Sequence, residues 1–403
     1  MQIVIVGCGI AAITAAKAIR ENASEAEISI YTDEKYLYYP RPRLYDVITG
    51  ETKLQGLLPY SEQWYQEQKI RVRLNSKVTS LKTDRKELVL GDNSRINYDK
   101  LLLANGAHPY VPPIKGVDKA GVFTLRTLED ALAIREFPKK KGKAIVIGGG
   151  LLGLEFAACL RKIGQQVEVL EVLPRLLPMQ LDQEASSILR DDFEKRGIDV
   201  MLEVKATEIL GKDTVSGVSL DDGKELSSDL ILVASGIRPN INLASEAGIK
   251  VNKGVIVDQF LQTSVNDVYA AGDVSEFNGR VYGIIPPAIE QAKMASTNIL
   301  GKEKRVYKGT VHSTSLKIAG ISLTSIGLVN PEEPQYEEIK KVDQQEGVYK
   351  KMFLEQGKIV GAIILGERKG VSSIMKLMEQ EVDVTRYKDQ LLEDDFDYRK
   401  ILF

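Results

Sequence analysis

The glycine loops Gly7-Cys8-Gly9-Ile10-Ala11-Ala12 and Gly148-Gly149-Gly150-Leu151-Leu152-Gly153 constrain this chain more than any other feature. Each follows a short apolar run (residues 2–6 and 143–147) and opens a helical pattern (residues 13–20 and 154–163). In such a loop the first glycine permits a tight turn, and the second lets the backbone approach a pyrophosphate. The third small residue, Ala12 or Gly153, lets the helix sit close to the strand. Unpaired amides at the helix start then meet the phosphates. A second strand follows each loop, residues 28–31 and 166–170, and leads to an acid placed to bond a ribose diol. These acids are Asp33, with Glu34 beside it, and Glu171. Two such cradles hold two dinucleotides, between which electrons or a hydride can pass.

A second repeat supports a duplicated architecture. Residues 92–106 read DNSRINYDKLLLANG, and from Asp222 the chain reads DGKELSSDLILVASG without a gap. Both share a hairpin turn, an Asp, an apolar strand and a closing Ala-x-Gly that ends at Gly106 or Gly236. Self-similarity of this kind marks one structural unit used twice. The fold class expected is α/β, with two Rossmann-like domains, each a parallel sheet with an inserted antiparallel meander. The alternating stretches 70–90 and 200–220 are read as the meanders. A small α+β C-terminal domain follows. The expected boundaries are 1–110 with 238–305, then 111–237, then 306–403.

Composition excludes several classes. A length of 403 residues supports two or three domains with ample core. Net charge is −2 with both signs interspersed, so nucleic-acid binding is not expected. Residues 1–18 are apolar but lack a basic start, and the glycine loop accounts for them; a cytoplasmic location is expected rather than export. No other apolar run approaches membrane-spanning length. Two cysteines, Cys8 and Cys159, have no partner nearby in sequence, so neither a redox-active pair nor a four-ligand iron–sulfur cluster is expected. Both read as small packing residues. The two histidines, His108 and His312, are too few and too separated for a metal site, and His108 beside Pro109 reads as structural.

The paired loops, with the run Glu34-Lys35-Tyr36-Leu37-Tyr38-Tyr39-Pro40-Arg41-Pro42-Arg43-Leu44, resemble the pyridine-nucleotide–disulfide oxidoreductase superfamily in its members without the disulfide. Within it the chain is most similar to NADH:rubredoxin oxidoreductases and to the flavin module of NADH-dependent nitrite reductase large subunits. Further matches are residues 148–155, Leu181-Asp182-Gln183, residues 263–274 and Leu316-Lys317-Ile318-Ala319-Gly320. The resemblance spans nearly the whole chain and is weakest after about Pro331.

The resemblance implies that the first loop holds FAD, with Gly7, Gly9 and Ala12 on the pyrophosphate and Asp33 on the adenosine ribose. Arg41, next to Pro42, would reach the pyrophosphate or ribityl region, a charge-assisted contact that suits arginine. Gly106 would end the strand bordering the flavin. Gly272-Asp273 would close the late FAD motif with Asp273 on the ribityl chain, and a helix from Pro287 to Leu300 would point its start at the flavin. The second loop, Gly148, Gly150, Leu152 and Gly153 with Gly236, would hold the nicotinamide cofactor. Glu171 favours NADH over NADPH, since a carboxylate repels a 2′-phosphate. Glu155 matches a carboxylate near the nicotinamide in relatives, or is an ordinary helix acid favoured by the dipole. Some relatives carry a lysine that pairs with that position; here Leu44-Tyr45-Asp46-Val47 offers none. Lys317 is then a candidate flavin-side cation, or an exposed interface lysine.

These readings imply hydride transfer from NADH to flavin, with no protein nucleophile or general base. With no internal cysteine pair, electrons leave to an external acceptor, such as rubredoxin or another iron–sulfur protein. The rivals are an electron-input subunit of a larger reductase, for instance for nitrite, and an NADH oxidase or peroxidase. A redox-sensing flavoprotein that controls dimerisation is the third. Oxidase relatives place a catalytic cysteine where residues 41–45 stand here, and no cysteine-rich extension follows Phe403, so clusters are expected on another polypeptide. The C-terminal domain is expected to carry a hairpin (349–354 with 358–365) and a helix from Ser372 to Glu381, and to shape homodimer or partner contacts. The acidic stretch 389–398 is read as a solvated tail.

Overall fold

A computed structural model describes all residues except 138–141, 302, 312, 319, 332, 334, 344–345, 368 and 403, and of residues 315–318 the backbone alone. His312 and Ala319 therefore lie outside the described residues. The chain divides into two units, Met1–Tyr110 with Ile237–Thr310, and Val111–Gly236 with Val311–Phe403.

The first unit is built on a five-stranded parallel sheet in the order Val268–Ala270, Lys100–Leu103, Gln2–Val6, Glu27–Tyr31, Ile70–Arg73. The central strand is almost wholly buried, which is why it reads as a continuous apolar run. Behind the first loop the helix Ile10–Asn22 presents Ala11, Ala12, Ala15 and Ala16, all buried, against Ala288, Ala292 and Ala295 of the helix Ile285–Leu300. Small side chains let the two backbones come close, and Ser296 Oγ donates to Ala15 O at 3.2 Å.

The second unit repeats the plan with Ile198–Leu202, Gln166–Glu171, Lys143–Ile147, Leu230–Val233 and Val122–Phe123, again all parallel. The repeated sequence does the same work twice. Asp92 and Asp222 close the hairpins by accepting Ser94 N and Lys224 N, each at 2.9 Å. Asp99 and Asp229 accept the amides that open the two central strands, Gln2 N at 2.6 Å and Lys143 N at 2.9 Å. Both meanders also carry a bulge at the same place, after Val78 and after Ala206.

The meanders begin later than expected. They are Val78–Lys82, Glu87–Leu90, Arg95–Asn97 and Ala206–Leu210, Gly217–Leu220, Glu225–Ser227. Residues Ile70–Arg73 and Ile198–Leu202 belong instead to the parallel sheets. Alternation is the same for an edge strand and a meander strand, so period alone could not separate them.

The C-terminal segment forms a five-stranded antiparallel sheet, Ser313–Ile318, Ile321–Gly327, Lys358–Leu365, Val348–Glu355, Glu337–Asp343, followed by the helix Val371–Glu379. Its register sets Lys340 opposite Lys351 and Lys341 opposite Lys350. Like charges directly opposite are unfavourable, and each pair is neutralised on its own face. On one face Lys351 meets Asp182 and Glu338, and Lys340 meets Glu184 at 2.7 Å. On the other, Lys341 meets Glu393 at 2.8 Å and Lys350 meets Asp394 at 2.6 Å.

The acidic stretch is thus not a free tail: Glu393 and Asp394 are paired to the sheet, and Leu391, Leu392 and Phe396 are buried in the C-terminal core. The interleaved apolar residues are what the charge count overlooked. The Leu181-Asp182-Gln183 motif is explained as well. Asp182, 8% exposed, caps the helix Gln183–Lys195 through Ala185 N at 3.0 Å and accepts Tyr349 OH at 2.5 Å and Lys351 Nζ at 3.2 Å. Replacing Asp182 by Ala removes a helix cap and the buried acceptor of Tyr349, leaves Glu338 on Lys351 at 2.9 Å, and should lower unfolding stability by about 2 kcal/mol. Tyr349→Phe should lower it by about 1 kcal/mol. Denaturant titration of both variants checks the ranking.

Candidate functional sites in the two glycine loops

Gly7 has φ +102°, and a Cβ there would lie 2.3 Å from Ala104 O, so no side chain fits. At Gly9 a Cβ would meet only the Arg41 guanidinium, at 3.2 Å, so the space before the loop is open apart from a cation. Ala12 is fully buried where the helix meets the sheet. Gly7, Gly9, Asp33, Glu34, Arg41 and Gly106 line one cavity of about 510 Å³. Val78 and Thr79, from the start of the meander, form another part of its wall and were not foreseen.

The two arginines of the Arg-Pro-Arg run divide their tasks. Pro42 lies in the short turn Arg41–Arg43. Arg43 is spent on structure, bonding Asp46, Gly56 O and Thr52 Oγ1. Arg41 instead lies over the loop, held by Glu34 at 2.9 Å. The Tyr39 hydroxyl donates to the other oxygen of Glu34. Glu34 therefore orients the arginine, while Asp33 is exposed at the cavity.

At the second loop, Gly148 has φ +120° and a Cβ would lie 2.5 Å from Ala234 O, the counterpart of Ala104. A Cβ on Gly150 would meet nothing within 4 Å, while one on Gly153 would lie 2.0 Å from Gly148 O. The open and the closed positions alternate as a pyrophosphate cradle requires. Leu152 is 49% exposed on this loop, and Gly236 has φ +100°. Glu171, 7% exposed, accepts Gly149 N at 2.6 Å and Leu173 N at 2.9 Å. A carboxylate has about four acceptor positions, so it retains capacity for a diol.

The two acids are not equivalent by register. Gly7 N bonds Tyr31 O and Gly148 N bonds Leu170 O, each at 2.8 Å. Glu171 therefore corresponds to Thr32, and Asp33 to the exposed Val172. The first cradle carries its acid one residue further along than sequence symmetry implied.

Gly272, φ +81°, and the half-buried Asp273 lie beyond the strand Val268–Ala270 in the first unit. The helix near them starts at Ile285, two residues before the expected Pro287. Lys317 lies on the strand Ser313–Ile318, with its side chain outside the described residues. His108 pairs through Nδ1 with Asn240 Oδ1 at 2.7 Å, within the two-stranded ribbon Ala107–Pro109 and Ile237–Pro239. Burial, reinforced by Glu34, pushes the Cys8 thiol up to about 12, so it stays protonated. Among the described residues, no group of three His, Cys, Asp or Glu side chains is placed to hold a metal. No helix among them is long and apolar enough to cross a membrane.

A parallel sheet carrying a glycine cradle at its central strand, present twice, defines a two-dinucleotide α/β protein. Residues 1–297 match the pyridine nucleotide-disulphide oxidoreductase family, and residues 313–382 match the rubredoxin NAD+ reductase C-terminal domain. The chain belongs to the pyridine nucleotide-disulphide oxidoreductase family.

It is 38% identical over 386 residues to a nitrite reductase [NAD(P)H] of Bacillus subtilis, covering 95% of this chain and 48% of that protein. The chain thus spans about half the length of that relative. It is 31% identical to the NADH-rubredoxin oxidoreductase of Clostridium acetobutylicum, over 91% of both chains. A ferredoxin reductase structure from Rhodopseudomonas palustris superposes with a TM-score of 0.89 at 28% identity, covering all of both chains.

Glu155 is the one strongly perturbed carboxyl among the described residues. It lies past the first turn of the helix Leu151–Lys162, which holds no acid. Burial pushes its pKa up from 4.5 to about 7. The helix dipole acts in the opposite direction, so burial outweighs it at this carboxyl. A raised carboxyl contributes stability that is fully present below about pH 4.5 and is lost as pH rises through about 7. Wild type should therefore lose thermal stability across that window relative to Glu155→Gln, whose curve should be flatter. Parallel curves for the two proteins would contradict this burial.

Proposed function

We propose that residues 1–110 with 238–305 bind FAD, and that residues 111–237 bind NADH. Electrons would pass to an external carrier, rubredoxin or another small iron–sulfur protein. The observation that carries the reading is the repeated cradle: Gly7 and Gly148 have no room for a side chain, while a Cβ would meet only the Arg41 guanidinium at Gly9 and nothing within 4 Å at Gly150. The C-terminal match to the rubredoxin NAD+ reductase domain supports that class of acceptor.

Bound FAD would supply the chemistry of taking up a hydride and releasing electrons singly. The chain's own residues bind and orient. Gly7 and Gly9 receive the FAD pyrophosphate, buried Ala12 lets the helix behind them sit close to the strand, Arg41 neutralises the pyrophosphate, and Asp33 accepts from the adenosine ribose. Glu34 and Pro42 hold Arg41 in place, Gly106 borders the ring, and Gly272-Asp273 meets the ribityl chain. Gly148, Gly150, Leu152, Gly153 and Gly236 form the NADH cradle. Glu171 accepts from the ribose diol and would repel a 2′-phosphate. Glu155, whose pKa burial raises to about 7, is partly protonated near neutrality and in that form offers a hydrogen-bond donor at the nicotinamide end. Location in the cytoplasm and a homodimeric state complete the reading.

A second reading, electron input within a larger reductase, is favoured by the nitrite reductase of which this chain spans 48%. Anaerobic rapid mixing separates the two. NADH should bleach the flavin faster than NADPH, and rubredoxin should restore its colour on the timescale of turnover. Bleaching by NADPH alone would overturn the role of Glu171, and reoxidation only by a partner reductase subunit would favour the second reading. Glu171→Ala should weaken NADH about tenfold or more without loss of FAD; simultaneous loss of flavin colour would contradict the two-site assignment.

A further inference from the structure

We propose that Gln291 is a positioning residue for the flavin: its buried carboxamide bolts the Gly272-Asp273 turn to the helix Ile285–Leu300. This role rests on the FAD reading of the first unit given above. Gln291 is 1% exposed and lies among Ala288, Ala292 and Ala295 on the buried side of the helix, whose other buried polar residues, Ser296 and Asn298, bond elsewhere, to Ala15 O and to Phe260 O. A polar side chain buried on an alanine face needs a hydrogen-bonding reason to be there.

The reason is the turn. Gln291 Oε1 accepts Gly272 N at 2.8 Å and lies 2.9 Å from Ser275 Oγ. Ser275 is fully buried, and its hydroxyl also lies 2.9 Å from Gly272 O. Ser275 N closes the same turn onto Gly272 O at 2.9 Å. Gly272 has φ +81°, and a Cβ there would lie 3.0 Å from Ala11 Cβ and 3.6 Å from Ala288 Cβ. The turn is therefore pinched between the helix of the first glycine loop and the helix that carries Gln291.

Two groups expected to face the flavin thus share one buried anchor. Asp273 follows Gly272 directly. The helix Ile285–Leu300 opens without a side-chain cap, and because Pro286 and Pro287 carry no N–H, only the Ile285 and Ala288 amides and the positive dipole end are left to a reduced ring. Gln291 sets the spacing between the carboxylate and that helix start. Without its oxygen the Gly272 N–H is buried with no acceptor, and the turn must move to find one. Neither Gln291 nor Ser275 carries a recognisable sequence motif.

The test compares wild type with Gln291→Met, which keeps length but loses the acceptor, and Gln291→Glu, which keeps an acceptor oxygen. FAD affinity of the apoprotein, visible circular dichroism of the bound flavin and flavin midpoint potential are measured. NADH affinity is read in parallel as a control on the second cradle. Gln291→Met should weaken FAD about tenfold, alter the flavin dichroism and make the potential more negative. Gln291→Glu should recover most of the affinity, and NADH affinity should hold in both.

A Met variant with wild-type FAD affinity, spectrum and potential would overturn the role. If Gln291→Met does not fold, Ser275→Ala decides. It should weaken FAD about threefold with altered dichroism, and unchanged values would overturn the proposal. A wild-type chain that binds NADH but takes up no FAD would overturn the flavin reading itself, and this role with it.

Discussion

Two carbonyl oxygens govern this molecule. Ala104 O and Ala234 O stand 2.3 and 2.5 Å from where a Cβ at Gly7 or Gly148 would be, closer than any side chain tolerates. That approach ties the turn after each central strand to the end of the neighbouring strand. It is also why a glycine loop and an Ala-x-Gly segment recur together although about a hundred residues separate them in sequence. With the turn fixed, the helix behind it starts where its free amides face outward over Gly9 or Gly150. The phosphate binding proposed for these places would rest on backbone geometry before any charged side chain is considered.

The charged side chains then make the two cradles different. In the second, one buried carboxylate braces the loop and keeps acceptor capacity for a ligand. In the first, the corresponding position is Thr32. The acids shift outward, and Glu34 is given over to holding Arg41 above the loop. One cradle carries a cation, and the other a carboxylate already bonded to two backbone amides. The duplicated fold thus carries two unlike electrostatic sites.

Much of this was legible in the sequence because the features are local. The glycine loops, the Asp-turn-Asp repeat and the apolar central strands each depend on residues within a few positions of one another. What escaped was decided by contacts between distant segments. Ile70–Arg73 joins a parallel sheet because Glu27–Tyr31 lies beside it. The acidic stretch is anchored because Lys341 and Lys350 sit on the facing strands. Gln291 acts on Gly272, 19 residues away, through a buried bond that no spacing rule announces. The offset between Asp33 and Glu171 was hidden for another reason: a one-residue shift at a strand end leaves the sequence pattern intact while it changes which way the acid faces.

Flavin content after purification of Gly9→Val and Gly150→Val tests the two-cradle account most directly. Each places a branched side chain where a pyrophosphate would approach, and neither position has backbone crowding of its own. The account predicts a colourless Gly9→Val protein and a Gly150→Val protein that keeps one FAD per chain. The reverse pattern, or full flavin in both, would contradict it.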